Sequence, residues 1–566
     1  MAEAEENLNH ASCITGSDRD RATGEPTSAA RQADMKQAIE LARKGELAVA
    51  EGLFRKQLAC GAAPALLHNL AVCLIQRNQT VEAREHLAHA LRLDPQYSRA
   101  HHSLGRTLHR ERQFGPAEGH LRQAVAIEPA NAEVLSDLGS LLNDLRRYEE
   151  AEVWLRQAVR IRPDSTAVHN NLGVALTGLG DLDAACDILR RALDVQPHDA
   201  AAQTNLGNAF KAQGRLAAAL ACYDLALAID PQCVTARWNR ALALLESGDF
   251  QRGWEEYEWR WRRPQTPPRQ FPQPCWAGEP LTGRTLLLHA EQGLGDTLQF
   301  IRYAAVVKKA GAKVVFECPQ PLVQVLKQVA GVDMLVPEGA ALPAFDVHAP
   351  LLSLPRLCGT TPAAIPAVVP YLHPEIRSVA DWAARLAPLV PPEDYRVGLV
   401  WQGNPHHHWD RFRSIALNEF RRLAGMDAIT FLSLQRGPGA EQVGSLSGRA
   451  RDLHLVSPWP EADAAKTDIA DAAAIMRNLD LVITVDTATA HLAGALGIKV
   501  WILIGAISDW RWMQGRGDSP WYPTARLFRQ RRLGRWGPVL HDIRAELARQ
   551  ARIHRHGATQ AKEAGQ

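Results

Sequence analysis

The sequence predicts an α-solenoid of repeated helix pairs followed by an α/β region made of two Rossmann-like halves. Three observations carry this reading: a 34-residue recurrence of glycines, alanines and prolines before residue 263, a proline-rich break after it, and strand–helix alternation from residue 284 onward. At 566 residues the chain exceeds what one hydrophobic core organises, so two or more domains are expected.

The repeat comes first because it sets the phase of everything before residue 263. Gly105, Gly139, Gly173 and Gly207 stand one period apart, with Ala71 and Ala241 in the same phase. Pro95, Pro129, Pro163, Pro197 and Pro231 repeat likewise, as do the alanine columns that begin at Ala83 and Ala90. Within the unit AEVLSDLGSLLNDLRRYEEAEVWLRQAVRIRPDS the apolar residues recur at helical spacing in two blocks split near Arg146 and Arg147, which predicts two antiparallel helices. Small residues fall where paired helices approach most closely, and the proline ends one unit and opens the next. This pattern resembles the tetratricopeptide repeat family over residues 35–263, about six to seven helix pairs, with an out-of-phase first unit around Met35 to Gly61. The resemblance implies a superhelix whose concave groove holds a protein or peptide. A spacer or dimerisation arm, and hence a homo-oligomer, is the plainer use of such an array.

Residues 1–34 are polar and of mixed charge, with no apolar core behind a basic start, and are expected to be disordered, as is the tail at 551–566. Nine scattered cysteines without C-x-x-C pairs, and the absence of a run of about 18 apolar residues, point to a cytoplasmic protein with no transmembrane segment. Lys and Arg (64) nearly balance Asp and Glu (62), which argues against nucleic acid as the main partner. Trp254, Tyr257, Trp259 and Trp261 lie on the last helix of the array among Arg260, Arg262 and Arg263. We read them as an apolar cap joining the array to the next domain, in preference to a platform for single-stranded nucleic acid. A Pro-rich linker at 264–283 follows.

From residue 284, TLLLHA, KVVFEC and DMLVP read as buried strands of a first half, 284–391. RVGLVWQG, ITFLSLQRG, LDLVITVD and KVWILIG form a second, 392–550. Strands alternating with helices imply parallel sheets, and ligands of such sheets lie beyond the carboxyl ends of the strands. After the first strand comes AEQGLGDTLQF, where Gly293 and Gly295 admit a close ligand and Asp296 sits at a helix start. Leu298 occupies the place of a third glycine, so a dinucleotide fingerprint is incomplete. In the loop NPHHHWDRFRSIAL, His406, His407 and His408 are adjacent and cannot converge on one metal, whereas Arg411 and Arg413 suit a pyrophosphate. Gln435 and Arg436 follow another strand, and DTATAHLAGALG places Asp486, Thr487 and His491 at the opening of a helix that offers free N–H groups to an anion.

These pieces, G-L-G-D-T-L at 293–298, R-S-I at 413–415 and V-D-T-x-x-x-H-L-A-x-A-L-G at 485–497, resemble a GT-B glycosyltransferase related to the lipopolysaccharide heptosyltransferase family. The resemblance implies Asp296 as catalytic base. It places Arg413, where the family carries lysine, and Asp486, Thr487 and His491 on the diphosphate of a nucleotide-sugar donor held by the second half. Gly293, Gly295, Ser414, Gln435 and Arg436 join this donor-binding set from their positions in the neighbouring loops. The resemblance also implies metal-independent transfer without a cofactor to a protein or glycan acceptor. An array joined to a GT-B pair is similar in architecture to the O-linked N-acetylglucosamine transferases. The alternative is a non-catalytic scaffold with a degenerate transferase-like domain. DWRWMQGRGDSPWYPTARLFRQ, with Trp510, Trp512 and Trp521, closes the second half and is expected to reach back across the cleft; its Arg-Gly-Asp triplet reads as a turn.

Overall fold

The computed structural model describes residues 28–564 apart from 265, 408, 447–451 and 460–468. Among these, fourteen helices run from Ser28–Arg43 to Phe250–Tyr257, two per repeat, and two parallel sheets follow. The expected disorder of residues 1–34 lies outside the described residues up to position 27. From Ser28 the expectation is corrected, because SAARQADMKQAIELAR is rich in strong helix formers and buries Ala38 and Ile39. The tail is corrected as well. The last helix, Gly537–Ala564, continues past residue 551 because Val539, Leu540, Ile543, Leu547 and Ala551 form one apolar stripe buried on the second sheet.

The chain divides into two compact units at Leu206 and Gly207. In the first, the glycine column has a steric cause. A Cβ on Gly139 would stand 2.4 Å from Leu155 Cγ, on Gly173 2.4 Å from Leu189 Cγ, and on Gly105 2.7 Å from Leu121 Cγ. Each glycine of a first helix thus seats a leucine of its partner helix, and the alanines Ala83, Ala117, Ala151 and Ala185 are fully buried beside it. Gly139→Val is expected to lower the unfolding free energy by about 1 to 3 kcal/mol through overpacking, measured by urea titration.

The second unit begins inside the array. The helices Leu216–Ile229, Val234–Ser247 and Phe250–Tyr257 precede a 3-10 turn, Glu258–Arg262. The first sheet contains β1 (Thr285–His289), β2 (Lys313–Cys318), β3 (Met334–Pro337) and β4 (Val347–Pro350) in the order β3-β2-β1-β4. The second contains β5 (Tyr395–Val400), β6 (Ile429–Ser433), β7 (Leu455–Val456), β8 (Leu481–Val485), β9 (Val500–Ile504) and β10 (Ala525–Arg529) in the order β10-β9-β8-β5-β6-β7. Every pairing is parallel. The proline-rich stretch is pinned to β4, where the Trp276 amide donates to the His348 carbonyl at 2.8 Å.

Trp254 and Tyr257 are buried in one core with Leu286, Phe300, Trp510 and Trp521, so the aromatic end of the array packs directly on both sheets' loops. Trp259 and Trp261 are half-buried and carry arginines on their faces: Arg237 and Arg262 over Trp259 at 4.2 and 4.1 Å, and Arg260 over Trp261 at 4.2 Å. Arg260 is completely buried. Its guanidinium donates twice to Glu291 (2.9 and 2.8 Å), once to Glu258 (2.8 Å) and once to the Ser353 hydroxyl (2.7 Å). Glu291 follows β1 and Ser353 follows β4, so one side chain locks the end of the array to the place where the first sheet's connections diverge. Arg260→Ala leaves the largely buried Glu291 without its cation and removes one partner of the more exposed Glu258, and is expected to cost about 3 kcal/mol of stability in a denaturant titration.

Candidate active site

In the second sheet the chain runs outward from β5 through β6 to β7, then returns to the other side of β5 as β8. The loops after β5 and β8 therefore part company above the sheet and leave a crevice at the carboxyl ends of those strands. The first sheet has the same switch between β1 and β4. The loops that carry Asp296, Arg413 and Asp486 all leave strands at these two places.

After β1 the backbone turns through Gln292 in the left-handed region (φ 61°), a conformation that costs a non-glycine residue energy and is held by its amide bonding the Tyr257 hydroxyl at 3.1 Å. The helix Leu294–Phe300 then starts, capped by Asp296, whose Oδ2 accepts the Gly293 N–H at 2.9 Å. Gly295 has a packing role. A Cβ there would lie 3.0 Å from His491 Cδ2 and 3.4 Å from Ala488 Cα, so glycine lets this helix rest on Ala488–Ala495.

The other oxygen of Asp296 is paired with Arg511. Arg511 was not singled out from the sequence, yet it is the centre of the site. It is 8% exposed, and it donates to Gln299 Oε1 at 2.6 Å, to Asp509 Oδ1 at 2.9 Å and to Asp296. One guanidinium thus joins the loop after β9 to the helix after β1, across the two sheets. Burial raises the Asp296 carboxyl above the usual range against the pull of Arg511. Burial and then the neighbouring Asp509 push Asp486 up to about 6, with Arg413 opposing. Asp296 and Asp486 both feel Asp509 and Arg511, so the two sequence-predicted carboxylates border one cluster.

Arg413 ends a short helix, Asp410–Arg413, with Nε donating to Asp410 at 3.0 Å and Nη1 to the Asp486 carbonyl at 2.9 Å. This bond ties the loop after β5 to the loop after β8. Ser414 Oγ accepts the Gly403 N–H at 3.0 Å and shapes the same loop. The helix Ala488–Ala495 begins at Thr487 with no side-chain cap on its first N–H groups, while the Thr487 hydroxyl shares a hydrogen bond with Thr484 at 3.3 Å. Those N–H groups carry partial positive charge toward the crevice mouth.

Three of the sequence-predicted residues are engaged within the fold. His491 is buried and neutral: it shares a hydrogen bond with the Tyr522 hydroxyl at 3.0 Å, stacks on Trp512, and burial followed by Arg511 lowers it to about 3, so it supplies no positive charge. Gln435 spends its amide on the loop itself. It accepts from the Trp401 and Gln402 N–H groups and donates to the Gln402 and Pro438 carbonyls, which leaves it to brace the loop. Gly295 is the third, as described above. Arg436 lies over the Trp459 ring at 4.4 Å, where its charge faces an indole. His406 and His407 are exposed, His408 lies outside the described residues, and no group of three or more metal-ligating side chains is assembled among the described residues.

In the first sheet, His289 on β1 shares a hydrogen bond with His348 on β4 at 3.3 Å, and burial, then Arg269 and His348, lower it to about 3. The folded ring refuses a proton that the unfolded imidazole accepts below about 6.5, so stability is intact at pH 7 and falls as pH drops through that value. Relative to His289→Leu, the native chain is expected to lose about 2 kcal/mol between pH 7 and pH 5, read as the difference between two urea titrations.

Parallel sheets closed by the last helices of a repeat array, with charged loops at both switch points, define the class of molecule. Comparisons with known proteins agree. Tetratricopeptide repeat models match residues 64–89, 108–172 and 164–232, and the model of glycosyltransferase family 9 (heptosyltransferase) matches residues 456–532. That last segment contains β8, the helix Ala488–Ala495, β9 and the Arg511 loop. Protein FlbA of Caulobacter vibrioides is 29% identical over 340 residues, covering 54% of each chain; the present chain thus spans about half the length of that curated relative. Solved structures similar to the array include TTC0263, a thermophilic tetratricopeptide repeat protein of Thermus thermophilus (26% identity, 32% of this chain and 99% of that one, TM-score 0.29). A second is YrrB, a tetratricopeptide repeat protein with an unusual peptide-binding site (24% identity, 30% and 88%, TM-score 0.27). No helix among the described residues is long and apolar enough to cross a membrane.

Proposed function

We propose that the chain is a glycosyltransferase that moves a sugar from a nucleotide-activated donor to a protein or glycan acceptor, with the repeat array recruiting the acceptor. The observation that carries this reading is the meeting of Asp296, Arg511, Asp509 and Asp486 where the loops after β1, β8 and β9 converge. In this mechanism the donor diphosphate lies at the Thr487 end of the helix Ala488–Ala495 beside Arg413. Its oxygens compete with Asp296 and Asp509 for Arg511. Once Arg511 turns to the diphosphate, Asp296 is left buried without its cation, and its basicity rises. The acceptor oxygen bonds to the anomeric carbon as the bond from that carbon to the diphosphate breaks. Asp296 takes the acceptor's proton, and Arg413, Arg511 and the helix N–H groups stabilise the charge of the leaving diphosphate. No step calls on a metal.

One observation favours the scaffold alternative: Asp296 is already engaged by Arg511 and by the Gly293 N–H. Incubating the purified full chain with a panel of nucleotide sugars separates the two. The transferase reading expects release of the free nucleoside diphosphate from at least one donor. The scaffold reading expects none from any.

A further inference from the structure

The loop that carries Asp509 and Arg511 is braced from outside as well as by its own hydrogen bonds. Met513 adopts φ 49°, a left-handed backbone that a non-glycine side chain disfavours and that persists only where its surroundings impose it. Two side chains flank it. From β10, Arg529 donates to the Met513 carbonyl at 2.6 Å and to the Arg516 carbonyl at 2.7 Å. From the array helix Val234–Ser247 comes Glu246, only 3% exposed, whose Oε1 accepts from the Ser508 hydroxyl and from the Gln514 amide, each at 3.4 Å. The Gln514 amide also donates to the Gly214 carbonyl at 3.1 Å. The other oxygen of Glu246 lies 3.3 Å from Lys211 Nζ, a second array residue. A buried carboxylate is costly unless its oxygens are engaged. Here the engagement is divided between the array and the two ends of the Arg511 loop.

We infer that Glu246, a residue of the repeat array, is a positioning residue of the candidate active site: it fixes the 508–514 loop so that Arg511 meets Asp296 and Asp509. The functional unit therefore includes residues of the array, Lys211, Gly214 and Glu246. What the positioned loop does rests on the transferase reading; that Glu246 positions it does not.

The test is amide hydrogen exchange on the full chain, native, Glu246→Ala and Glu246→Gln, with parallel titrations of adenosine, guanosine, uridine and cytidine diphosphates, each alone. Glu246→Ala is expected to accelerate exchange of the 508–514 amides about tenfold, leave β8 and the first unit unchanged, and weaken diphosphate binding by a similar factor. Glu246→Gln keeps the accepting oxygen and is expected to restore both. Exchange at 508–514 that does not change in the alanine variant overturns the inference. So does acceleration spread evenly over the chain, or an alanine effect that glutamine shares in full. The expected exchange pattern in a chain that binds none of the four diphosphates supports the positioning role and refutes the transferase reading.

Discussion

Arg511→Met is expected to lower the free energy of unfolding by about 3 to 5 kcal/mol and to eliminate nucleoside diphosphate binding, because Asp296 and Asp509 are left facing each other with no cation between them. Part of that loss is folding, so Arg511→Lys is the sharper probe. Lysine keeps the charge but cannot reach three acceptors, and Arg511 serves Gln299, Asp509 and Asp296 at once. The lysine chain is expected to remain folded, with a melting temperature a few degrees lower and diphosphate affinity down roughly 30- to 1000-fold, as for loss of an aligned charge pair. Isothermal titration beside thermal unfolding checks both parts. Native affinity in the lysine variant would remove Arg511 from the diphosphate site.

Asp296→Asn should have the opposite signature. Asparagine has the same shape and retains an oxygen to accept the Gly293 N–H or to face Arg511, so the helix start and the donor pocket are expected to survive. Proton acceptance is lost, and with it the negative charge and one of the two acceptor contacts. Turnover is expected to fall about 10²- to 10⁴-fold, the range for removal of a positioned general base, while diphosphate affinity stays within about threefold. Steady-state release of nucleoside diphosphate from a donor sugar nucleotide, with binding measured separately, decides it. An undiminished rate would mean that another group takes the proton.

The array was legible because its repeats obey a simple steric rule: each small residue in the column of Gly139 and Gly173 receives a leucine. The long apolar strands β1, β2, β5, β6, β8 and β9 were legible for the same kind of reason, since a strand buried on both faces must be apolar throughout. β4 reads VHAP, β7 has two residues and β10 carries two arginines, so none shows a strand's pattern. The junction was hidden too. The repeat phase continues unbroken through Ala241, while Ala241 itself already belongs to the core that holds Trp254, Tyr257 and Leu286. At the site, position after a strand brought out Asp296, Arg413 and Asp486, whose loops leave the two sheets at the switch points. The same rule does not show that Gln435 braces its own loop or that His491 bonds Tyr522, because loop position says nothing about whether a side chain turns inward. Arg511 had no spacing motif to reveal it. It lies in DWRW among aromatics that read as core, and its role appears only when the β9 loop is laid against the helix after β1.

The proposed function requires that polarised turns of two sheets converge on a crevice able to grip a diphosphate. Thermal unfolding of the full chain with adenosine, guanosine, uridine or cytidine diphosphate puts this to the test, since a ligand that binds only the folded state must raise the melting temperature. At least one of the four is expected to raise it by several degrees at millimolar concentration, and Arg413→Met to abolish the rise. A melting temperature indifferent to all four, or a rise that persists in the Arg413 variant, would contradict the proposal.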